Sequence, residues 1–137
     1  MPKQTRTRNV SAAQVGSYLR KAEEFLAAAS SELEAGRAVA STSLAIHAAI
    51  NAADAVTGVR LGKRTAGQDH DQVLALLREA GKAGADVERD LSRLLPLKTK
   101  TEYEPDDVPT SEAARAVKRA SRCVAVALRI AAGRPSS

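Results

Sequence analysis

The sequence has few aromatic residues and almost no cysteine. Only Tyr18, Phe25 and Tyr103 of its 137 residues are aromatic, tryptophan is absent, and Cys123 is the single cysteine. One cysteine excludes a disulfide framework and a zinc site with several cysteine ligands. No apolar run approaches the roughly 18 residues that cross a bilayer. We therefore expect a cytoplasmic protein with no membrane partner.

Alanine supplies much of the apolar content, which is 44% of the chain. It is the strongest helix former, and its small side chain lets helices approach closely. Apolar residues repeat with the helical period in successive segments that are bounded by capping residues, glycine or proline. The length suits a single domain. These features predict an all-α fold, an antiparallel bundle of four to five helices.

The ends of the predicted bundle follow from local patterns. Residues 1–10 are polar, basic and aperiodic, and are predicted to form a flexible arm. Ser11 and Gln14 have the spacing of a capping box, so the bundle is expected to span 11–132. A short tail, 133–137, follows.

The inner boundaries are marked by glycine, aspartate and proline. The second helix is predicted over about 37–60, followed by a loop over 61–68, and Asp69 is the expected N-cap of the third helix. Glycines are expected to separate that helix from a fourth, starting at Asp86. Pro96 should end or kink the fourth helix because it lacks a backbone donor. A polar connector over 98–109 follows, and the last helix is expected to begin near Thr110 or Ser111.

The net charge of +5 is unevenly distributed. Residues 1–9 hold three basic and no acidic residues, and residues 110–137 hold six basic residues against one acidic residue. Such asymmetry is typical of proteins with a polyanionic partner, although many basic faces are simply solvated.

Three polar residues lie along the otherwise apolar second helix. His47, Asn51 and Asp54 are four and three positions apart, which places them on one face. Burying them is unfavourable unless each finds a partner. They form either a hydrogen-bond network that sets the register of the bundle, or a polar line that faces a cleft or a dimer seam.

Arg64 and His70 are separated by five residues around the start of the third helix. A helix N-terminus beside an arginine favours anions, and histidine exchanges protons near neutral pH. Together these groups suit phosphodiester cleavage, by charge stabilisation and proton transfer. The alternative is that Asp69 is only a cap, and that Arg64 and His70 are solvated.

The last helix carries a basic stripe. Arg115, Lys118, Arg119, Arg122 and Arg129 fall within roughly 100° of arc at 100° per residue. No aromatic residues alternate with them, so any nucleic-acid contact there would be to the backbone rather than by base stacking. The alternative is a solvated face. Metal-ligand spacings, phosphate loops and dinucleotide fingerprints do not occur, so we expect no metal and no cofactor.

Three segments of the sequence resemble the HEPN family of small helical bundles. They are LAIHAAINAADAV at 44–56, GQDHDQVLALL at 67–77 and LLPLKTKTEYEPDDVPTSEAARAVKRA at 94–120. The first is similar to the family's alanine-rich second helix with an embedded polar residue. The second is similar to the histidine-containing start of the next helix. The third resembles the late segment, in which an acid–tyrosine pair precedes the closing helix.

The resemblance implies a homodimer with paired sites at the seam. Many members are metal-independent endoribonucleases of toxin–antitoxin or phage-defence systems, with an arginine and a histidine four to six residues apart. Others lack that motif and act as non-catalytic dimers that bind a nucleotide or a partner, such as a small nucleotidyltransferase. Arg64 and His70 match the spacing. They depart from the usual pattern because they precede the third helix rather than a late one, and because Thr65 follows the arginine.

The leading hypothesis is therefore an RNA-binding protein that is also an endoribonuclease, and the alternative is the non-catalytic module. In the first, Arg64 would hold the phosphate and His70 would transfer protons. Expected partners are RNA or a nucleotide, and an antitoxin or a nucleotidyltransferase. The supporting residues would be Asp54, Asn51, His47 and Asp69. The residues expected to contact nucleic acid are Lys98, Lys100, Tyr103, Arg115, Arg119 and Arg122.

Overall fold

A computed structural model of the chain describes residues 6–67 and 69–133, and the prediction of an all-α bundle is confirmed. None of the helices in these ranges has the length and hydrophobicity that crossing a membrane requires. The elements in chain order are β1 (Thr7–Asn9), α1 (Ala12–Glu34), α2 (Ala38–Leu61), β2 (Lys63–Thr65), α3 (His70–Arg78), α4 (Gly81–Tyr103) and α5 (Thr110–Ala132).

Helix α2 is the centre of the bundle and packs against α1, α4 and α5. Apolar residues occur on all sides of this helix, as expected for a helix that other helices surround. Small side chains let the neighbouring helices approach closely. The fully buried alanines of α2 are Ala45, Ala48, Ala49, Ala52, Ala53 and Ala55.

The predicted start of α1 is confirmed. The Ser11 hydroxyl accepts a hydrogen bond from the Gln14 amide at 3.2 Å, and the Gln14 side chain accepts one from the Ser11 amide at 2.9 Å. This reciprocal pair satisfies two backbone donors at the helix end. The last helix also begins where predicted, at Thr110.

The structure differs from the predicted arm and from the predicted loop after α2. Thr7–Asn9 pair antiparallel with Lys63–Thr65, with Arg8 opposite Arg64. Gly62 allows the pairing because its φ of 70° turns the chain from α2 into β2, a conformation that suits glycine. Two short polar segments far apart in sequence carry no local signal for such a pair. Residues 1–5 of the arm and 134–137 of the tail lie outside the described residues.

The predicted boundaries of α4 are wrong at both ends. The helix starts at Gly81 rather than Asp86, and it continues through Pro96 to Tyr103. Pro96 removes one backbone donor, but the turns beyond it are held by other contacts. Leu97 packs against the core, and Lys98 and Lys100 form ion pairs at 3.8 and 3.3 Å. The connector before α5 therefore shortens to residues 104–109.

Gly84 was predicted to break the helix, but it lies inside α4, at a point where α3 approaches closely. A Cβ atom at this position would lie 2.0 Å from the carbonyl oxygen of Leu77 and 2.7 Å from the Cβ of Ala80. The backbone of the α3–α4 corner can therefore approach only because this residue has no side chain.

Gly84→Ala should destabilise the protein by about 1–3 kcal/mol, because the added methyl forces the α3–α4 corner apart. The control is Gly16→Ala in α1, where the new Cβ would meet only the mobile end of the Arg20 side chain at 3.4 Å. That change should stabilise by up to about 1 kcal/mol, because alanine is the better helix former. Urea denaturation measures both. Equal stabilisation by the two substitutions would contradict the close approach at Gly84.

Candidate functional site

A pocket of about 220 Å³ lies between α2, β2, α3 and α4. His47 and Asp54 come from α2, Arg64 from β2, His70 from the first residue of α3, and Lys98 from α4. The structure thus places the predicted arginine–histidine pair in one pocket with two residues of the polar line. The apolar part of the lining consists of Ile50, Val73 and Leu95.

Asp54 is the acidic residue of this pocket. Burial raises the pKa of its carboxyl to about 6, and the nearby positive charge of Arg64 opposes only part of that rise. The carboxyl can therefore exchange a proton close to neutral pH, which an exposed aspartate does not do.

Arg64 is held in position by strand pairing and by two contacts of its guanidinium group. One Nη atom donates to the carbonyl oxygen of Thr65 at 2.9 Å, and Cζ lies 5.8 Å from the centre of the Tyr18 ring. A cation over an aromatic face is favourable by roughly 0.5–1 kcal/mol. Within residues 6–67 and 69–133 this arginine forms no ion pair, so its other N–H donors remain available to an anion in the pocket.

The two histidines are positioned differently. The His47 ring packs against Phe25, with ring centroids 5.4 Å apart. His70 follows Asp69, whose carboxylate accepts hydrogen bonds from the amides of Asp71 and Gln72 at 2.9 and 3.3 Å. Asp69 is therefore the N-cap of α3, as the alternative interpretation has it, and it acts on the pocket only by starting the helix that carries His70.

Asn51 is not among the residues that line the pocket, although it was expected to support the site. Its side-chain amide donates to the carbonyl oxygen of His47 at 2.8 Å, one turn earlier in the same helix. The predicted polar line therefore divides. His47 and Asp54 reach the pocket, whereas Asn51 is satisfied by the backbone of its own helix.

The residues expected to bind nucleic acid are not gathered at the pocket, apart from Lys98. Lys100 lies 3.3 Å from Glu112 of α5. Tyr103, the last residue of α4, is 78% exposed. Arg115 is exposed on α5. None of these three side chains lines the pocket.

Arg119 and Arg122 are bound to Asp90 of α4. Arg122 makes two hydrogen bonds to the carboxylate, at 3.0 and 2.7 Å, and Arg119 makes one at 3.4 Å. Burial by itself would raise the pKa of Asp90, but the hydrogen bonds and charges of Arg122 and Arg119 outweigh it and hold the pKa below its usual value. Asp90 was not predicted as a functional residue, although it lies beside the inward-facing Val87 and Leu91.

Two aromatic side chains of α1 pack against residues of the pocket, a role that was not predicted for them. Tyr18 contacts Arg64 and Phe25 contacts His47. These two aromatics are seven positions apart on α1, a spacing that puts them on one face of a helix. Because the chain has only three aromatic residues, the spacing of these two could have indicated a shared role from the sequence. Among the described residues, no three histidine, cysteine, aspartate or glutamate side chains are placed to hold a metal ion.

The family model described as HEPN domain matches residues 15–130 of the chain, from the first turn of α1 to the last turn of α5. The match includes every residue of the pocket. No curated protein matches the chain.

Asp54→Asn should stabilise the protein at alkaline pH. Between the ordinary pKa of 3.8 and the folded-state pKa of about 6, the folded protein binds a proton that the unfolded chain has lost. Stability therefore falls as the pH rises through this window and stays low above it. The variant should gain up to about 3 kcal/mol at pH 8 and much less at pH 4.5, as the two pKa values imply.

Urea denaturation at both pH values measures this difference. Asp106→Asn, in the exposed connector before α5, is the control and should change stability by less than about 0.5 kcal/mol at either pH. A loss of stability in Asp54→Asn at pH 8 would show that the ionised carboxylate is stabilised by its surroundings.

Proposed function

Because the chain belongs to the HEPN family, we propose that it binds RNA and cleaves it at the pocket, as a metal-independent endoribonuclease. One observation carries the proposal. Arg64, His70 and Asp54 come from three different elements and line the same pocket. A guanidinium group, a carboxyl and an imidazole together supply the charge stabilisation and the proton transfer that phosphodiester cleavage needs.

In the proposed reaction the ribose 2′-hydroxyl attacks the adjacent phosphorus, and the bond from phosphorus to the 5′-oxygen breaks. The Asp54 carboxylate accepts the proton of the hydroxyl, and protonated His70 donates a proton to the leaving oxygen. Arg64 and Lys98 stabilise the negative charge that builds up on the phosphoryl oxygens. The products are a 2′,3′-cyclic phosphate and a 5′-hydroxyl end, so atoms and protons balance.

The apolar wall of the pocket favours a second candidate function, which is nucleotide binding without cleavage. Ile50, Val73 and Leu95 line the pocket together with the charged groups. Such a lining suits a base or sugar beside a phosphate. The fixed guanidinium of Arg64, bonded to Thr65 and stacked on Tyr18, is sufficient for binding and requires no proton transfer.

The oligomeric state, the compartment and the partner are also part of the proposal, and family membership supports them. HEPN domains commonly form dimers, and we expect this chain to act as a cytoplasmic homodimer. An endoribonuclease of this kind suits a toxin–antitoxin or phage-defence system, in which an antitoxin would restrain it. The non-catalytic alternative suits a partnership with a small nucleotidyltransferase.

Purified protein should cleave a fluorescent RNA in the presence of excess EDTA. His70→Ala and Arg64→Ala should each lower kcat by about 100-fold or more, because a proton-transfer group or a phosphate clamp is lost. Arg60→Ala is the matched control, since Arg60 is exposed at the end of α2 and does not line the pocket. It should remain within about twofold of the parent, and the products should carry 2′,3′-cyclic phosphate ends.

Two results would contradict the nuclease. Equal activity in the parent and in His70→Ala would assign the cleavage to a contaminant. Absence of cleavage, with nucleotide binding that Arg64→Ala abolishes and Arg60→Ala preserves, would support the second candidate instead. Thermal denaturation of each variant shows that a loss of activity is not a loss of fold.

A further inference from the structure

A groove rich in arginine lies between α4 and α5, away from the pocket. It has a volume of about 680 Å³, and five arginines line it against two aspartates, Asp86 and Asp90. The arginines are Arg89, Arg93, Arg119, Arg122 and Arg129. We call this the arginine groove. It differs from the basic stripe predicted on α5 alone, because α4 contributes two of the cations.

Asp90 organises one side of the arginine groove. Its carboxylate is only 10% exposed and binds Arg122 through two hydrogen bonds and Arg119 through one. These bonds use some of the N–H donors on each guanidinium and leave the rest for a ligand. The buried carboxylate therefore holds two guanidinium groups in place, so that less side-chain freedom is lost when an anion binds.

The other three arginines are less constrained. Arg89 lies 3.6 Å from Asp86 and is 72% exposed. Arg93 and Arg129 form no ion pair within the described part of the chain. The groove thus combines two guanidinium groups that Asp90 holds with three that it does not hold. A surface with this excess of one charge attracts an anionic partner and concentrates it.

The arginine groove and the pocket are joined by a line of depressions across α4, in which neighbouring depressions share lining residues. It shares Arg93 and Arg119 with a neighbouring depression. That depression shares Ser92 and Pro96 with a third, which His70 also lines. His70 in turn lines the pocket. A polymer lying in the arginine groove can therefore follow the surface of α4 to the candidate catalytic histidine.

We propose that the arginine groove binds the phosphate backbone of RNA and that the line of depressions across α4 guides the same strand to His70. The inference rests on the proposed function of the pocket. Arg89 and Lys98, near the two ends of this path, are about 14 Å apart along α4, by the rise of 1.5 Å per residue. The path is thus long enough for several nucleotides.

The chemistry of the arginine groove favours a phosphate backbone over other anionic partners. Every cation in it is an arginine, whose planar group binds phosphate through two parallel hydrogen bonds. No aromatic residue lines it, so bases are not stacked and recognition does not depend on sequence. Contacts of this kind release counterions and are strongly weakened by salt.

The test is RNA binding by fluorescence anisotropy in a His70→Ala background, where the RNA stays intact. The groove variant is the triple change Arg89→Gln, Arg93→Gln and Arg129→Gln, which keeps the arginines bound to Asp90. It should weaken binding of a 20-nucleotide RNA by about tenfold, and lower the slope of log affinity against log salt by about 2. The loss should grow with RNA length and be small for a dinucleotide, which reaches only the pocket.

The control removes the same charge from another face of the protein. Arg20→Gln, Lys21→Gln and Arg60→Gln change exposed residues of α1 and α2. Binding of the 20-nucleotide RNA by this variant should stay within about twofold of the parent. An equal loss in both triple variants would show a general effect of net charge and overturn the arginine groove as a site.

Two further results separate this proposal from the proposed function. Binding that depends on the arginine groove, without cleavage by the parent protein, would support the groove and reject the nuclease. Cleavage that depends on His70, with binding unaffected by the groove variant at every RNA length, would reject the groove alone. A polyglutamate chain of matched charge that binds as tightly, with the same loss in the groove variant, would overturn the assignment to RNA.

Discussion

The close packing that the buried alanines of α2 allow is the constraint on which the rest of the structure depends. Because the buried faces of this helix carry methyl groups, α1, α4 and α5 can all approach it at once. The polar side chains buried along α2 are small, namely Ser41, Thr42 and Thr57. His47 and Asp54 reach a gap where β2 and α3 lie beside α2. That gap is the pocket.

Two aspartates near arginines show how the same residue types serve different purposes. Asp90 accepts three hydrogen bonds from Arg119 and Arg122, and its pKa is lowered. Asp54 has no hydrogen bond to Arg64. Burial raises the pKa of Asp54 to about 6, and the charge of Arg64 lowers that pKa only in part. A carboxylate whose charge is satisfied contributes to structure and holds its partners in place. A carboxyl that is desolvated and has no hydrogen bond from an arginine is suited to proton transfer.

The two halves of the proposed RNA surface therefore have different physical origins. The pocket is small and mixes charge with an apolar wall, which suits one nucleotide unit. The arginine groove is larger and open, and its charge is carried by side chains from both α4 and α5. Helix α4 connects the two, and it can do so only because it runs without interruption through Pro96.

Local patterns determined much of the fold and part of the site. The capping box at Ser11, the start of α5 at Thr110 and the apolar character of α2 are properties of short segments, and each was predictable. The spacing of Arg64 and His70 likewise identified two residues that line the same pocket. The family pattern in the sequence agrees with the HEPN domain match over residues 15–130.

Only the tertiary structure decided the features that depend on contacts between distant segments. The pairing of β1 with β2 joins residues more than fifty positions apart, and nothing local in either segment indicates it. Helix α4 continues through Pro96 because packing and ion pairs hold its last turns, which outweighs the loss of one backbone hydrogen bond. Helix packing also decides which charged residues line the pocket, which bind Asp90 and which line the arginine groove. A sequence states which charges exist, whereas the distances between them, and thus their pKa values and partners, arise only when the helices pack.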